Sequence, residues 1–407
     1  MTEGNHPAMA GTGLLRTLVE LLEASHLASV EDVPGLVAEH ARHAGLAHVQ
    51  IYLADLQQNT LRRLGGPGDE PGPDADELRI DGTLPGRAFQ EVRVLASSEA
   101  GVAEHWWVPL LDGTERVGLL RITAAPGADE GVVERMRHLA SLVALILVSK
   151  RAYSDSYAKL VRTARMNVAA EMQWNLMPPL TFADRDVTIG AVMEPAYEIG
   201  GDAFDYSVRG RIVHVAVFDA MGHDVSAGLS ANLAVAACRN HRRQGMELAP
   251  NSEAIEDVLI EEFGRATRFV TAVMMQLDVD TGVLTWVNRG HHPPVLIRGG
   301  RWISTLTCPP AHPMGLDLGL PVTLCQAHLE PGDRVLLYTD GITEMRNARG
   351  EEFGLRRFVD FVIRQNAAGL PVPETLRRLI RKVLDYHDNR LHDDATVLLL
   401  EWRGGAI

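Results

Sequence analysis

The sequence has little cysteine, little aromatic content, few basic residues for its size and no long apolar run. Each shortage narrows what the chain can be. Cysteine occurs three times, at Cys238, Cys308 and Cys325, an odd number with no C-x-x-C spacing. A zinc site is therefore not expected, and the cysteines read as reduced thiols of a cytoplasmic protein. The longest apolar run, Leu142 to Val148, is far below the roughly 20 residues that span a bilayer. The N-terminus, MTEGNHPAMAGTG, lacks a basic region followed by an apolar core, so no signal peptide is expected. The net charge is −14, which argues against a nucleic-acid or anionic-membrane partner, because both need a basic face.

What is present is globular. Hydrophobic residues make up 46% and charged residues 23%. At 407 residues the chain exceeds one ordinary core, so two or three domains are expected.

Residues 13–45 carry Leu14, Leu15, Leu18, Leu21 and Leu22, then Val33, Leu36 and Val37, at helical spacing. HVQIYLAD at 48–55 and TLRRL at 60–64 read as strands, and the Gly-, Pro- and Asp-rich 65–77 as a loop. A short helix is expected at 84–91. HWWVPLLDGTERVGLLRIT at 105–123 reads as a hairpin turning at Asp112-Gly113, and a long helix as starting near Asp129. This order of elements resembles a GAF sensory domain over 13–150. GAF domains take cyclic nucleotides, haem, bilins or other small molecules, or serve only as dimerisation modules. No cysteine precedes Cys238, which argues against a covalent bilin, and the NKFDE-type signature of the cyclic-nucleotide class is absent. The GAF ligand is left open. The histidines of this half, among them His26, His40, His43, His48, His105 and His138, look scattered and read as surface or core residues. Trp106 and Trp107 alternate faces, so at most one could line a pocket.

Residues 129–177 contain no proline and only Gly131. That allows one very long helix, or two in line, stopped by Met177-Pro178-Pro179. Tyr157, Val161, Ala164, Val168 and Met172 approximate an apolar seam. The favoured reading makes 151–180 a helical, coiled-coil-like linker joining two copies of the chain as a homodimer. The plainer reading is an amphipathic helix packed on its own domain.

From 187 onward strands dominate, joined mostly by turns, which points to largely antiparallel sheets covered by helices. Acids sit where these strands end or begin. Asp202 and Asp205 follow Gly200-Gly201, Asp219 ends an apolar strand and leads into Met221-Gly222-His223, Asp340 follows VLLYT and enters Gly341, and Asp393 and Asp394 precede the last strand, TVLLLEW. Converging without a cation, such carboxylates would repel by roughly 4 kcal/mol per pair at about 4 Å and an effective dielectric near 20. A hard divalent ion with oxygen ligands, Mg2+ or Mn2+, removes that cost. Two such ions can activate water for in-line attack on a phosphoryl group without a Ser or Cys nucleophile. Singly, each acid has a plainer role: Asp-Gly is a common turn, and Asp205 reads as a cap or supporting residue.

GGDAFDY (200–206), FDAMGHD (218–224), NRGHHPPVLIR (288–298), LLYTDGITEMRN (336–347) and HDDATVLLL (392–400) occur in this order. Together they resemble the SpoIIE/RsbU-type branch of the PPM metal-dependent serine/threonine phosphatases, over 181–407. AEMQWNLMPP (170–179) resembles that family's helix-and-proline entry, where the helix is thought to switch the phosphatase. The resemblance implies an α+β chain whose C-terminal domain is an αββα sandwich of antiparallel sheets with metals at one edge. It implies Asp202, Asp219, Asp340 and Asp393 as ligands of two Mn2+ or Mg2+ ions that activate water. Asp219 would bridge, the backbone carbonyl of Ala220 would add an oxygen, and Asp394 is the alternative to Asp393, one register step away.

Some positions depart from the wider family. Asp224 stands where glycine is usual. Met221 stands where the better-known branch has a candidate general-acid histidine, with His223 displaced, so no general acid is assigned. Tyr197 stands where that branch has a phosphate-gripping arginine, so phosphate orientation must come from elsewhere, with Arg289 one candidate and no residue assigned. His291 and His292 lie in a Pro-rich turn and read as structural.

The expected function is a GAF-regulated protein serine/threonine phosphatase. By resemblance, its substrate is a phosphorylated STAS-type anti-anti-sigma protein, whose dephosphorylation would release a sigma factor. Two rivals are a non-catalytic scaffold with a phosphatase-like fold and a GAF-linked sensor kinase. The retained acids speak against the first, and the absent ATP-lid glycines against the second.

Overall fold

The computed structural model describes residues 6–68, 77–97, 104–124, 131–198, 200–222, 224–388, 391 and 393–404. Asp129, His223, His392 and most of the 65–77 loop lie outside the described residues. The chain divides into two compact units, Met1–Ala164 and Arg165–Ile407.

The N-terminal unit is built on a six-stranded sheet, antiparallel at every pairing. In space the strands run Glu77–Arg79, Thr60–Arg63, Leu46–Ala54, Glu115–Ala124, His105–Asp112 and Leu95–Ser97. The hairpin expected at 105–123 is present, with Asp112 paired to Glu115 across the turn. One sheet face and the helices His6–Ser25, Val33–His40 and Val132–Arg151 enclose the larger core, which includes Leu21, Val37, Ile51, Leu120 and Leu139. The other face carries a smaller cluster around Tyr52, Phe89, Trp107 and Leu119 beneath the helix Leu84–Glu91. The two tryptophans divide as strand alternation requires: Trp107 fills this cluster, and Trp106 packs against the larger core.

The expected long helix through 129–177 is corrected. The chain forms three separate helices, Val132–Arg151, Asp155–Val161 and Val168–Leu176. The side chain of Ser154 caps Tyr157 N, and that of Asn167 caps Ala170 N at 2.7 Å. Each offers the backbone a local partner that competes with continuing the preceding helix. The seam that was to hold two chains together therefore does not lie on one helix. Tyr157 and Val161 pack in the N-terminal core, whereas Val168 is 66% exposed.

The C-terminal unit has two antiparallel sheets. The first orders Cys325–His328, Val283–Arg289, Val270–Asp278, Ile212–Ala220 and Asp202–Arg209. The second orders Arg301–Thr305, Val295–Arg298, Arg334–Tyr338, Ala395–Trp402, Val187–Glu194 and Thr181–Ala183. Helices Val225–Arg243 and Leu248–Phe263 cover the first, and Val372–Tyr386 covers the second with Leu355–Ala367 beside it. TVLLLEW shows why an unbroken apolar run suits this αββα arrangement. Leu398, Leu400 and Trp402 enter the core between the sheets, while Val397 and Leu399 enter the core under the outer helices.

The expectation of three reduced thiols is also corrected. Cys308 and Cys325 form a disulfide with Cα atoms 5.8 Å apart, and Cys238 is free and buried. The fold brings together two cysteines that are 17 residues apart in sequence, a separation that carries no pairing signal of its own.

Candidate metal centre

The acids meet where the two sheets adjoin. Asp202 opens its strand and Asp219 nearly closes the next, and the short antiparallel connection between them sets Asp202 directly opposite Asp219. Like charges in that position destabilise a sheet unless something neutralises them. The second sheet supplies the rest. Asp340 follows the Arg334–Tyr338 strand and begins a short helix, and Asp393 and Asp394 lead into Ala395–Trp402.

Three contacts lock this arrangement. Thr339 Oγ1 donates to Asp202 Oδ2 at 2.6 Å. Asp394 accepts from the backbone N–H of Gly200, Gly201 and Asp202, at 3.0, 2.5 and 3.1 Å to Oδ2. Gln173, fully buried on Val168–Leu176, donates from Nε2 to the carbonyls of Gly200 at 3.0 Å and Asp202 at 2.6 Å. The Gly-Gly pair is thus held from both sides, by Asp394, which the sequence offered only as an alternative ligand, and by Gln173, which it did not single out. Gly201 has a steric reason as well: a Cβ there would lie 2.6 Å from Ala220 O and 2.4 Å from Gly222 O. Only glycine lets the backbone pass so close to the Ala220 carbonyl.

The electrostatics are those of unneutralised acids. Burial first, then repulsion from Asp340, Asp393 and Asp394, pushes the Asp219 carboxyl up to about 7. Burial, then Asp219 and Asp394, holds Asp202 well above the usual carboxylate range. Asp394 is also raised by burial, against the pull of its three N–H donors. Among the described residues, the charged groups acting on Asp219 are carboxylates. Among the described residues, no three of these acids place carboxylate oxygens within 4.8 Å of one another. An all-oxygen donor set of mutually repelling carboxylates suits Mg2+ or Mn2+.

Several expectations change. Asp394 as an alternative ligand is corrected: its carboxylate is committed to backbone amides, while the neighbouring Asp393 is exposed. Arg289 as a phosphate-gripping residue is corrected too. It is fully buried, bound to Glu256, to His312 O at 3.0 Å and to Ser252 O at 3.3 Å. Asp205 pairs at 2.8 Å with Arg239 and with Arg242, pinning Val225–Arg243 to its strand. Asp224 caps that helix through Ala227 N at 2.8 Å, which explains an acid where glycine was expected. His291 is buried between Thr271 Oγ1 and Tyr338 O, with burial lowering its pKa to about 4, so it is neutral and structural. His292 stacks on Tyr338, with Glu344 3.5 Å away. A different guanidinium reaches the site's rim: Arg268 lies 3.5 Å from Met221 O and 3.7 Å from Asp224 Oδ2, beside the loop that follows Asp219. No motif marks Arg268 in the sequence.

Residues 209–403 match the family described as "Stage II sporulation protein E (SpoIIE)". The phosphoserine phosphatase RsbU of Bacillus subtilis (strain 168) is 24% identical over 245 residues, 58% of this chain and 70% of RsbU. Protein IcfG of Synechocystis sp. (strain ATCC 27184 / PCC 6803 / Kazusa) is 21% identical over 274 residues, 60% of this chain but 42% of IcfG, so the chain spans less than half of that relative. Among solved structures, the RsbU and RsbW domains of Rv1364c from Mycobacterium tuberculosis align over 57% of this chain and 64% of that one, at 24% identity and a TM-score of 0.48.

Proposed function

We propose, for a chain whose residues 209–403 are a SpoIIE-family domain, that it is a metal-dependent protein serine/threonine phosphatase. The reading rests above all on Asp219, set opposite Asp202 and raised to about 7 by burial among further carboxylates. Asp202, Asp219, Asp340 and Asp393, with the Ala220 carbonyl, would hold the divalent ions. When bound, Mn2+ or Mg2+ activates water for attack on phosphorus and offsets charge on the phosphoryl oxygens. Thr339 fixes the rotamer of Asp202, and Asp394 and Gln173 fix the Gly200–Asp202 backbone from which it projects. Arg268 replaces Arg289 as the group that meets the phosphate, from a position where its guanidinium is part-exposed beside Met221.

The substrate in this reading is a phosphoserine or phosphothreonine on a STAS-type anti-anti-sigma protein. The likeness to RsbU supports it. The N-terminal unit is read as a GAF-like sensor that regulates the phosphatase, supported by its antiparallel sheet flanked by helices. Among the described residues no helix is long and apolar enough to cross a membrane.

The test is phosphate release by the full chain from a generic phosphoserine peptide and from a purified phosphorylated STAS protein. The expected result is Mn2+-dependent release that Asp219→Asn abolishes. Full activity in that variant, or none in the wild type with any divalent metal on either substrate, overturns the proposal. Release from the peptide alone overturns only the STAS assignment.

A further inference from the structure

The N-terminal unit contains a second, chemically different group of ligating side chains. Glu20, His40 and His43 each present one ligand atom, and the three atoms lie within 4.8 Å of one another. Glu20 comes from His6–Ser25, His40 ends Val33–His40, and His43 sits in the following 3-10 turn, Ala41–Ala44. In sequence these histidines look scattered. The fold converges them because the first helix packs tightly on that turn. A Cβ at Gly13 would lie 2.2 Å from His43 O, and Thr17 Oγ1 donates to His40 O at 2.9 Å. One turn beyond Thr17, Glu20 faces both imidazoles.

The distances match a metal ligand set. Glu20 Oε2 is 3.4 Å from His40 Nδ1 and 3.2 Å from His43 Nε2. In a tetrahedral site with zinc–ligand bonds near 2.0–2.1 Å, neighbouring ligand atoms sit roughly 3.4 Å apart. A simple imidazole–carboxylate hydrogen bond explains the group less well. Two ring nitrogens address the same oxygen, and buried His40 Nδ1 makes no well-formed hydrogen bond, its 3.4 Å contact with Oε2 included. The other carboxylate oxygen, Oε1, accepts from Arg16 Nε at 2.8 Å, which orients Glu20 as outer partners orient metal-ligating carboxylates.

The geometry points to a transition-metal site on the N-terminal unit, with Glu20 Oε2, His40 Nδ1 and His43 Nε2 as ligands and water completing a four-coordinate ion. Two imidazoles and one carboxylate select Zn2+, Co2+ or a similar borderline ion, not the Mg2+ or Mn2+ suited to the all-oxygen acid cluster. The two sites differ in form as well: this triad is already closed, whereas the acids are spread apart. An ion here joins the first helix to the second and its following turn, so occupancy stabilises the N-terminal unit. This inference does not depend on the reading of the C-terminal unit.

The test titrates metal-stripped full-length protein with Co2+ alone and follows visible absorption. Four-coordinate Co2+ with nitrogen ligands absorbs intensely, and octahedral all-oxygen Co2+ only weakly. The expected result is an intense band that saturates at one ion per chain. It persists in Asp219→Asn and disappears in His40→Ala and His43→Ala. Glu20→Gln, which keeps the shape of the side chain, also loses it, and circular dichroism checks that each variant is folded. Arg16→Ala keeps the band but weakens affinity by about 10–100-fold. No intense band in the wild type, its survival in the folded histidine variants, or its loss in Asp219→Asn overturns the proposal.

Discussion

Asp219→Asn should make the metal-free protein more stable while removing its response to Mn2+. Burial and three neighbouring carboxylates raise the folded-state pKa of Asp219 from 3.8 to about 7. For an acid with a raised folded pKa, the favourable contribution is complete below the unfolded value and is lost as pH rises through the folded value. At roughly 1.4 kcal/mol per pKa unit, ionised Asp219 costs the folded state about 4 kcal/mol above neutral pH. About 2–3 kcal/mol of that develops between pH 5 and pH 8. Asparagine carries no charge and escapes the cost. Thermal melts of the C-terminal transition in EDTA should therefore separate the two proteins by roughly 8–16 °C at pH 8, with the mutant higher, and by clearly less at pH 5. Mn2+ at about 100 times its Kd should restore roughly 2.7 kcal/mol to the wild type, and much less to the mutant. A mutant no more stable than wild type in EDTA at pH 8, or equal stabilisation of both by Mn2+, would refute the account of these acids.

Further outcomes follow from the same geometry. Asp393→Ala should abolish Mn2+-dependent phosphate release with a stability change within about 0.5 kcal/mol, because the residue is exposed. Asp394→Ala should cost about 3 kcal/mol or more in urea unfolding as well, because it strands the N–H groups of Gly200, Gly201 and Asp202. Gln173→Ala should weaken activation by Mn2+ about tenfold, read as a rightward shift in the Mn2+ titration of activity, since it frees the carbonyls on either side of Gly201. Arg268→Ala should lower kcat/KM about 10–100-fold while leaving Mn2+ stabilisation in the melt unchanged, as expected for a group that meets phosphate and not metal.

How much of this was legible follows from what each signal depends on. Apolar runs broken by single acids are local, so the positions of Asp202, Asp219 and Asp340 at the ends of strands could be read directly. The same holds for TVLLLEW, whose unbroken hydrophobicity reflects burial on both faces. Choosing between Asp393 and Asp394 was harder, because adjacent residues there face opposite ways and only the partners decide. The Gly200–Asp202 amides, about 190 residues earlier in the chain, claim Asp394.

Charge also misleads when read locally. Arg289 looks like a ligand for phosphate until Glu256 and the His312 carbonyl enclose it. The helix from 129 looked continuous because periodicity registers apolar spacing, whereas Ser154 and Asn167 act through capping bonds. The sequence by itself determined that the chain divides in two, the antiparallel character of the sheets and the placing of acids at strand ends. Only the tertiary structure decided which acid is framework, which arginine reaches the rim, that Cys308 meets Cys325, and that Glu20, His40 and His43 converge. The physical reason is that pattern along a chain reports burial and backbone geometry within a few residues. Contacts between side chains far apart in sequence depend on how whole elements pack.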